Sequence, residues 1–408
     1  MSIGKRVKKM INRNIPKIRF KEFINNWNNY KLGQLGNFKS GIGFPDSQQG
    51  GTEGIPFFKV SDMNNIGNET EMRNANNYVT QEQIMKNSWK VIDETPAIIF
   101  AKVGAALMLN RKRLVTRPFL IDNNTMSYSF DESWDKDFGL TLFQTINLPK
   151  YAQIGALPSY NASDIAMIKV NVPNVQEQSA IGTLFRTLDE LLASYKANLA
   201  NYQSLKATML SKLFPKDGQT VPEIRLKGFE GEWKEKEFSK LVKRVTQSSD
   251  SDSLPKVEFE DIVSGQGQLN KDISRKLDNR KGIHFKPGYT LYGKLRPYLN
   301  NWLLPKFEGV ALGDFWVFDP NGNDSNFIYY LVQSNRYQKV ANDTSGTKMP
   351  RSDWKSVSTT IFAIPQTITE QQAIGSYFSN LDNLINSHQE KISQLETLKK
   401  KLLQDMFI

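Results

Sequence analysis

EQSAIGTLFRTLDELLASYKANLANYQSLKATMLSKLF, residues 177–214, returns in altered form at 370–407 as EQQAIGSYFSNLDNLINSHQEKISQLETLKKKLLQDMF. In the first copy Ile181, Leu188, Tyr195, Tyr202 and Met209 recur every seven residues. Leu184, Leu191 and Leu205 supply a second seam position, and Phe185, Leu192, Leu199 and Leu213 widen the stripe. In the second copy the first seam is Ile374, Leu381, His388, Leu395 and Leu402, and the second is Tyr377, Leu384 and Leu398. Sustained heptads almost free of Gly and Pro predict two long helices, each with a coiled-coil face. A helix of this length spans about 57 Å at 1.5 Å per residue. Neither stripe can be left in water, so each helix is the obvious partner of the other. Polar residues interrupt the seam at Asn198 and Lys391, at Lys212 and Asp405, and at His388. Such breaks either fix register or are tolerated in a partly wet seam.

A shorter motif precedes each of these helices. PKIRFKEFINNWNNYKLGQLG at 16–36 reappears as PEIRLKGFEGEWKEKEFSKLV at 222–242. Pro16/Pro222, Ile18/Ile224, Arg19/Arg225, Phe23/Phe229 and Trp27/Trp233 hold a constant offset, 222 − 16 = 206. The frame therefore reads short motif, insert, long helix, twice over. We divide the chain into a basic arm (1–15), a first module (16–172), a central helix (173–215), a second module (216–364) and a C-terminal helix (365–408). The fold class is α+β: two mixed α/β modules joined by two long antiparallel coiled-coil helices, with an internal pseudo-two-fold repeat. A duplicated scaffold around unlike inserts suits a protein that reads two things at a fixed separation. Adjacent major grooves on one face of B-DNA lie about 34 Å apart, a spacing such a stiff spacer could match.

Composition narrows the chemistry. The 408 residues hold no cysteine and only His284 and His388, which argues against disulfides and against thiolate or histidine metal sites. The apolar run 97–109 is interrupted by Lys102 and is too short to cross a bilayer. The basic leader lacks the apolar core of a signal peptide, so a soluble cytoplasmic protein with no membrane partner is expected. The net charge of +11 is uneven: +8 in residues 1–35, −1 in 36–172 and +4 in 242–364. A basic balance invites a nucleic-acid reading, but the first insert could meet phosphates only through local clusters.

Both inserts read as short β-rich runs separated by Gly, Asn and Asp turns. A strand ending in a basic turn occurs as Ile98–Gly104, with Lys102, and as Tyr289–Tyr298, with Lys294 and Arg296. Near the end of each insert, Gly155–Asn161, with Tyr160 and Asn161, answers Gly346–Asp353, with Thr347, Lys348 and Arg351. Lys294, Arg296, Lys348 and Arg351 could bridge phosphates or guanine edges, and Asn161 and Asn300 could pair with adenine. Arg111, Lys112, Arg113 and Arg117 either meet phosphates or form a solvated loop. The run Lys271, Arg275, Lys276, Arg280 and Lys281 would position rather than specify.

Several chemistries lack their motifs. There is no phosphate-binding loop of the G-x-x-x-x-G-K-[ST] type, and no Pro-Pro dipeptide of the kind used to grip a flipped base for amino methylation. No catalytic residue or metal site is assigned.

With these motifs in place, the chain resembles the DNA specificity subunits of type I restriction–modification enzymes. The evidence is P-x-I-R-x-x-x-F-x-x-x-W, a variable region, and then E-Q-x-A-I-G-x-x-F-x-x-L-D leading into a long helix, all present twice. The resemblance covers nearly the whole chain. It implies that each insert is a target-recognition domain reading one half of a split asymmetric sequence in double-stranded DNA. It implies that the helices pair antiparallel and dock two methyltransferase subunits, to which restriction (motor-nuclease) subunits are added. S-adenosylmethionine, ATP and magnesium would then belong to those partners, with no cofactor in this chain. The basic arm Lys5–Arg13 departs from the pattern. A stand-alone two-headed DNA-binding regulator is the alternative, though it leaves the duplicated helices and their entry motifs unexplained.

Overall fold

The computed structural model describes residues 14–153, 155, 157–274, 278–343 and 349–408. Residues 1–13 of the basic arm, Arg275, Lys276, Thr347 and Lys348 thus lie outside the described residues. The chain forms two compact units, 1–194 with 392–408, and 195–391. Each long helix, Val175–Lys212 and Ile368–Asp405, is unbroken and contributes one part to each unit.

In the first unit, Asn28–Lys31 pairs antiparallel with Lys169–Val172 and closes the insert at its base. Above it lies a four-stranded antiparallel sheet in the order Gly36–Ser40, Thr125–Phe130, Ala97–Ala101, Lys112–Val115. The strand Ala97–Ala101 is buried throughout because both faces are covered. Ile98 and Phe100 join the core beneath the helix Lys136–Thr145, with Phe138, Phe143, Ile181 and Phe185. Ile99 and Ala97 point the other way, into a smaller core with Phe58, Val115 and Ile121. A strand buried on two faces reads as an unbroken apolar run, which is how it stands in the sequence.

The second unit repeats the plan with other residues. Lys234–Glu237 pairs with Ile361–Ile364 to close the insert. The sheet order is Lys243–Val245, Phe315–Asp319, Thr290–Gly293, Trp302–Leu303. Tyr292, Trp316 and Phe318 face the helix side with Phe327 and Phe378, and Leu291, Phe315 and Val317 face a second core.

The duplicated motifs attach each insert to its helix. Arg19 grips Glu177 with Nε and Nη2, both at 2.6 Å, and the Trp27 indole donates to the same carboxylate at 3.2 Å. Arg225 and Trp233 do the same to Glu370, at 2.8, 2.9 and 3.1 Å. Gln178 accepts from the backbone N–H of Asp135, the N-cap of the helix Lys136–Thr145. Gln371 accepts likewise from Asp324, the N-cap of Ser325–Leu331. The glycine that follows must be small. A Cβ on Gly182 would lie 2.6 Å from the Phe138 nitrogen, and one on Gly375 2.7 Å from the Asp324 carboxylate. Every fixed letter of E-Q-x-A-I-G except the apolar pair thus sets the angle at which an insert meets its helix.

The pairing seam differs from the expected one. In the first unit Ile181, Phe185, Leu188 and Leu192 are buried on the first helix, with Leu395 and Leu402 of the second helix, and Met406 just past its end, in the same core as Ile181, Phe185 and Leu188. In the second unit Leu213 clusters with Ile374, Phe378 and Leu381, while His388 lies between the rings of Tyr195 and Tyr202 at 5.3 and 5.2 Å. The partner order is antiparallel within each unit. The second seam expected at Leu191, Leu205, Leu384 and Leu398 is corrected: these four are 40–44% exposed. Leu184 and Tyr377 are partly buried against the cores. Heptads can be closed by a residue three or four beyond the first seam, and the bulkier Phe185 and Phe378, four beyond, take the core. At one level the four-beyond position carries a lysine in both copies. Lys399 meets Asp189 at 2.5 Å and Lys206 meets Asp382 at 2.7 Å.

Candidate nucleic-acid interface

The two landmark loops of each insert, far apart in sequence, come together at one end of the sheet. In the first unit the Lys102 carbonyl accepts from the Tyr160 N–H at 3.3 Å, and the Gly104 N–H donates to Pro158 at 2.9 Å. Val103 and Ser159 form the bridge between them. In the second unit the Lys294 carbonyl accepts from the Ser352 N–H at 2.8 Å, the Arg296 N–H donates to Pro350 at 2.7 Å, and Leu295 bridges Arg351. The two inserts therefore present the same pair of loops on the same backbone scaffold, with different side chains.

The side chains divide into exposed and committed groups. Asn161 is exposed, with its backbone N–H held by Asp164. Lys294 and Arg351 both approach Asp314, at 3.7 and 3.1 Å. The loop position that gives Asp314 its carbonyl bond to the Lys294 N–H is Asn124 in the first unit, where it serves Lys102. Sequence reasoning missed Asp314, whose only signal is its place in a Gly-Asp turn before a strand. Arg117 is exposed and donates to the Arg73 carbonyl, while Arg111 holds Asn64. Asn300 lies at the end of the turn Pro297–Leu299, in the left-handed region.

Other candidates are withdrawn by burial or by local pairing. Lys112 is only 5% exposed; its Nζ donates to the Ile146 carbonyl at the end of Lys136–Thr145 and to Asn110. Burial lowers its pKa from the ordinary 10.5 to about 7. It caps a helix and cannot reach DNA. Tyr160 is also buried, its hydroxyl donates to the Ala101 carbonyl, and burial raises its pKa. Arg113 is half-buried, donating to the Met63 and Lys112 carbonyls, and burial lowers its pKa. Lys271 pairs with the buried Asp261 at 2.7 Å, and Arg280 is held by Asp278 and Glu258. Most of the described part of that basic run is therefore neutralised within the unit.

Several exposed apolar side chains that sequence reasoning did not name lie near these loops. Met108, Leu109 and Leu157 stand beside the first loop pair, and Tyr298 and Met349 beside the second. Among the described residues no group of three or more His, Cys, Asp or Glu could hold a metal, and no helix is long and apolar enough to cross a membrane.

The loop-bearing inserts and their helical frame match known proteins. Residues 24–201 and 285–397 match the family described as the type I restriction modification DNA specificity domain. The chain is similar to the crystal structure of the S subunit of a type I restriction–modification system from M. genitalium, at 15% identity and TM-score 0.63. That match covers 97% of this chain and 99% of the other. The HsdS subunit from Thermoanaerobacter tengcongensis also matches, at 13% identity and TM-score 0.43, over 93% and 96% of the two chains. No curated protein matches. At 15% identity the M. genitalium structure shows the fold alone, and the family match spans well over half of the sequence. This chain belongs to the type I restriction modification DNA specificity domain family.

Proposed function

We propose that this chain is the non-catalytic specificity subunit of a type I restriction–modification complex, reading a two-part DNA sequence with one insert per half. The observation that carries the reading is the duplication of attachment without duplication of loops. Arg–Glu–Trp clamps, Gln-to-N-cap bonds and bridged loop pairs are built twice, while the exposed side chains differ. A scaffold so repeated presents two chemically distinct surfaces in equivalent settings, as reading two unlike half-sites requires.

The exposed leucines support a scaffolding role. Leu191 and Leu398 flank the seam in the first unit, and Leu205 and Leu384 do so in the second. The offset, 384 − 191 = 398 − 205 = 193, is that of the repeat itself, so one apolar face occurs twice. Such a face suits two copies of the same partner, which we take to be the methyltransferase subunits. S-adenosylmethionine, ATP and magnesium then act in those subunits and in the restriction subunit.

Co-expression with candidate methyltransferase chains, followed by purification and mapping of modified adenines, tests the reading. A complex that modifies adenines in a two-part sequence is expected. A chain that purifies alone and binds DNA tightly as such would favour the stand-alone regulator.

A further inference from the structure

Arg296 is held in the left-handed region, at φ 47° and ψ 61°. Among the described residues four other non-glycine residues have positive φ, and they are serine or asparagine: Ser88, Asn110, Asn300 and Asn321. Asparagine tolerates this region; an arginine is strained there. The matching point of the first unit is Gly104, whose N–H makes the equivalent bond across the loop pair and whose φ is 78°. Both copies take a positive φ at this point, with ψ −165° at Gly104 and 61° at Arg296. The first copy uses glycine, which has no side chain to strain, and the second keeps a side chain in spite of the strain. Strain retained where a relaxed solution exists points to use of the side chain.

The turn that follows is fixed by its own bonds. The Leu299 N–H donates to Arg296 and the Asn300 N–H to Pro297, both at 2.9 Å, and the Gly265 N–H reaches the Asn300 carbonyl at 3.0 Å. The Ser264 hydroxyl holds the Leu299 carbonyl. At the tip Tyr298 is 58% exposed, and among the described residues it takes part in no side-chain hydrogen bond or ring–ring pair. Exposed Met349 and Arg351 stand on the partner loop. A turn fixed by its own bonds, carrying an exposed aromatic ring two residues from an exposed arginine, has the chemistry of a base contact. The ring packs on a base face or thymine methyl, and the guanidinium donates to a base edge or phosphate.

We infer that Tyr298 and Arg296 form a base-contacting probe that reads the second half-site. This rests on the DNA-reading function proposed above. The test uses the full-length chain assembled with its methyltransferase partner and a random-sequence duplex library. The wild type should select a two-part motif. Tyr298→Ala should relax one half of it and weaken binding by roughly ten-fold or more, with the other half unchanged, while Tyr298→Phe should bind nearly as the wild type does. Arg296→Gly should bind more weakly, yet its melting temperature should equal or exceed that of the wild type, because the backbone strain is gone. A wild type that selects no motif would overturn the DNA-reading function and this inference together. A normal wild type with an unaltered motif and affinity in Tyr298→Ala would overturn the inference alone. Parallel loss of stability and binding in Arg296→Gly would mark that arginine as structural and overturn its part.

Discussion

The carboxylates of Glu177 and Glu370 are buried, and each is fully engaged by an arginine and a tryptophan. Removing one partner of a buried pair strands the other, a loss of about 3–5 kcal/mol. Arg19→Met should therefore destabilise by that order, and Arg19→Met with Glu177→Leu should recover a good part of it. Denaturant unfolding of the two variants checks this; a double variant no better than the single one would show that the clamp is not a coupled pair. Lys112 makes a pH prediction. Its folded pKa of about 7 lies below its ordinary 10.5, so the unfolded chain binds the extra proton between those values. Stability from this group must rise with pH across that window, and the full penalty is present below pH 7. Relative to Lys112→Met, the wild type should gain stability between pH 6 and pH 9.5. A difference flat with pH would mean that the ammonium is not desolvated. The residue was misread because three adjacent cations look like surface. Strand alternation carried the warning, since Lys112 shares its face with the core residue Leu114.

At the scale of elements, the long helices were legible because their pattern is strong and written twice. The residues that fill the seam were not, because spacings of three and four satisfy a heptad equally well. What decides between them is what each helix packs against, and the sequence carries that only through the size of Phe185 and Phe378. The loop pairs were legible as landmarks, but their joining was not, since a bridge between Leu295 and Arg351 leaves no local signature. The corrected seam separates folding from docking. Leu192→Glu places a carboxylate in a buried position and should cost several kcal/mol. Leu191→Glu, one residue earlier and exposed, should change stability by less than about 0.5 kcal/mol yet weaken capture of the methyltransferase partner. Thermal melts and co-purification of both variants decide it. Leu191→Glu that keeps the partner in full would remove this face from the docking surface.

At the scale of the whole molecule, the attachment bonds say where an insert can be exchanged. Cutting at 36 and 172 would split the pair Asn28–Lys31 with Lys169–Val172, which closes the first insert. Exchange within 33–168 keeps that pair, the Arg19–Glu177–Trp27 clamp and Gln178. The donor insert must still bring an N-capped helix at the place of Lys136–Thr145, because the Asp135 N–H donates to Gln178 and its side chain packs at Gly182. Under those conditions the foreign insert should sit at the native angle, since every bond that sets the angle belongs to the retained frame or to that helix end. We expect the chimaera to change one half of the modified sequence and to keep the other half. Mapping of modified adenines in cells carrying the chimaera and its partners is the measurement. If both halves changed together, the two inserts would not be independent readers, and the duplicated clamps would need another explanation. A chimaera made with a donor lacking the capping aspartate provides the internal contrast: it should lose stability in the first unit and read its half poorly, even with the same loops.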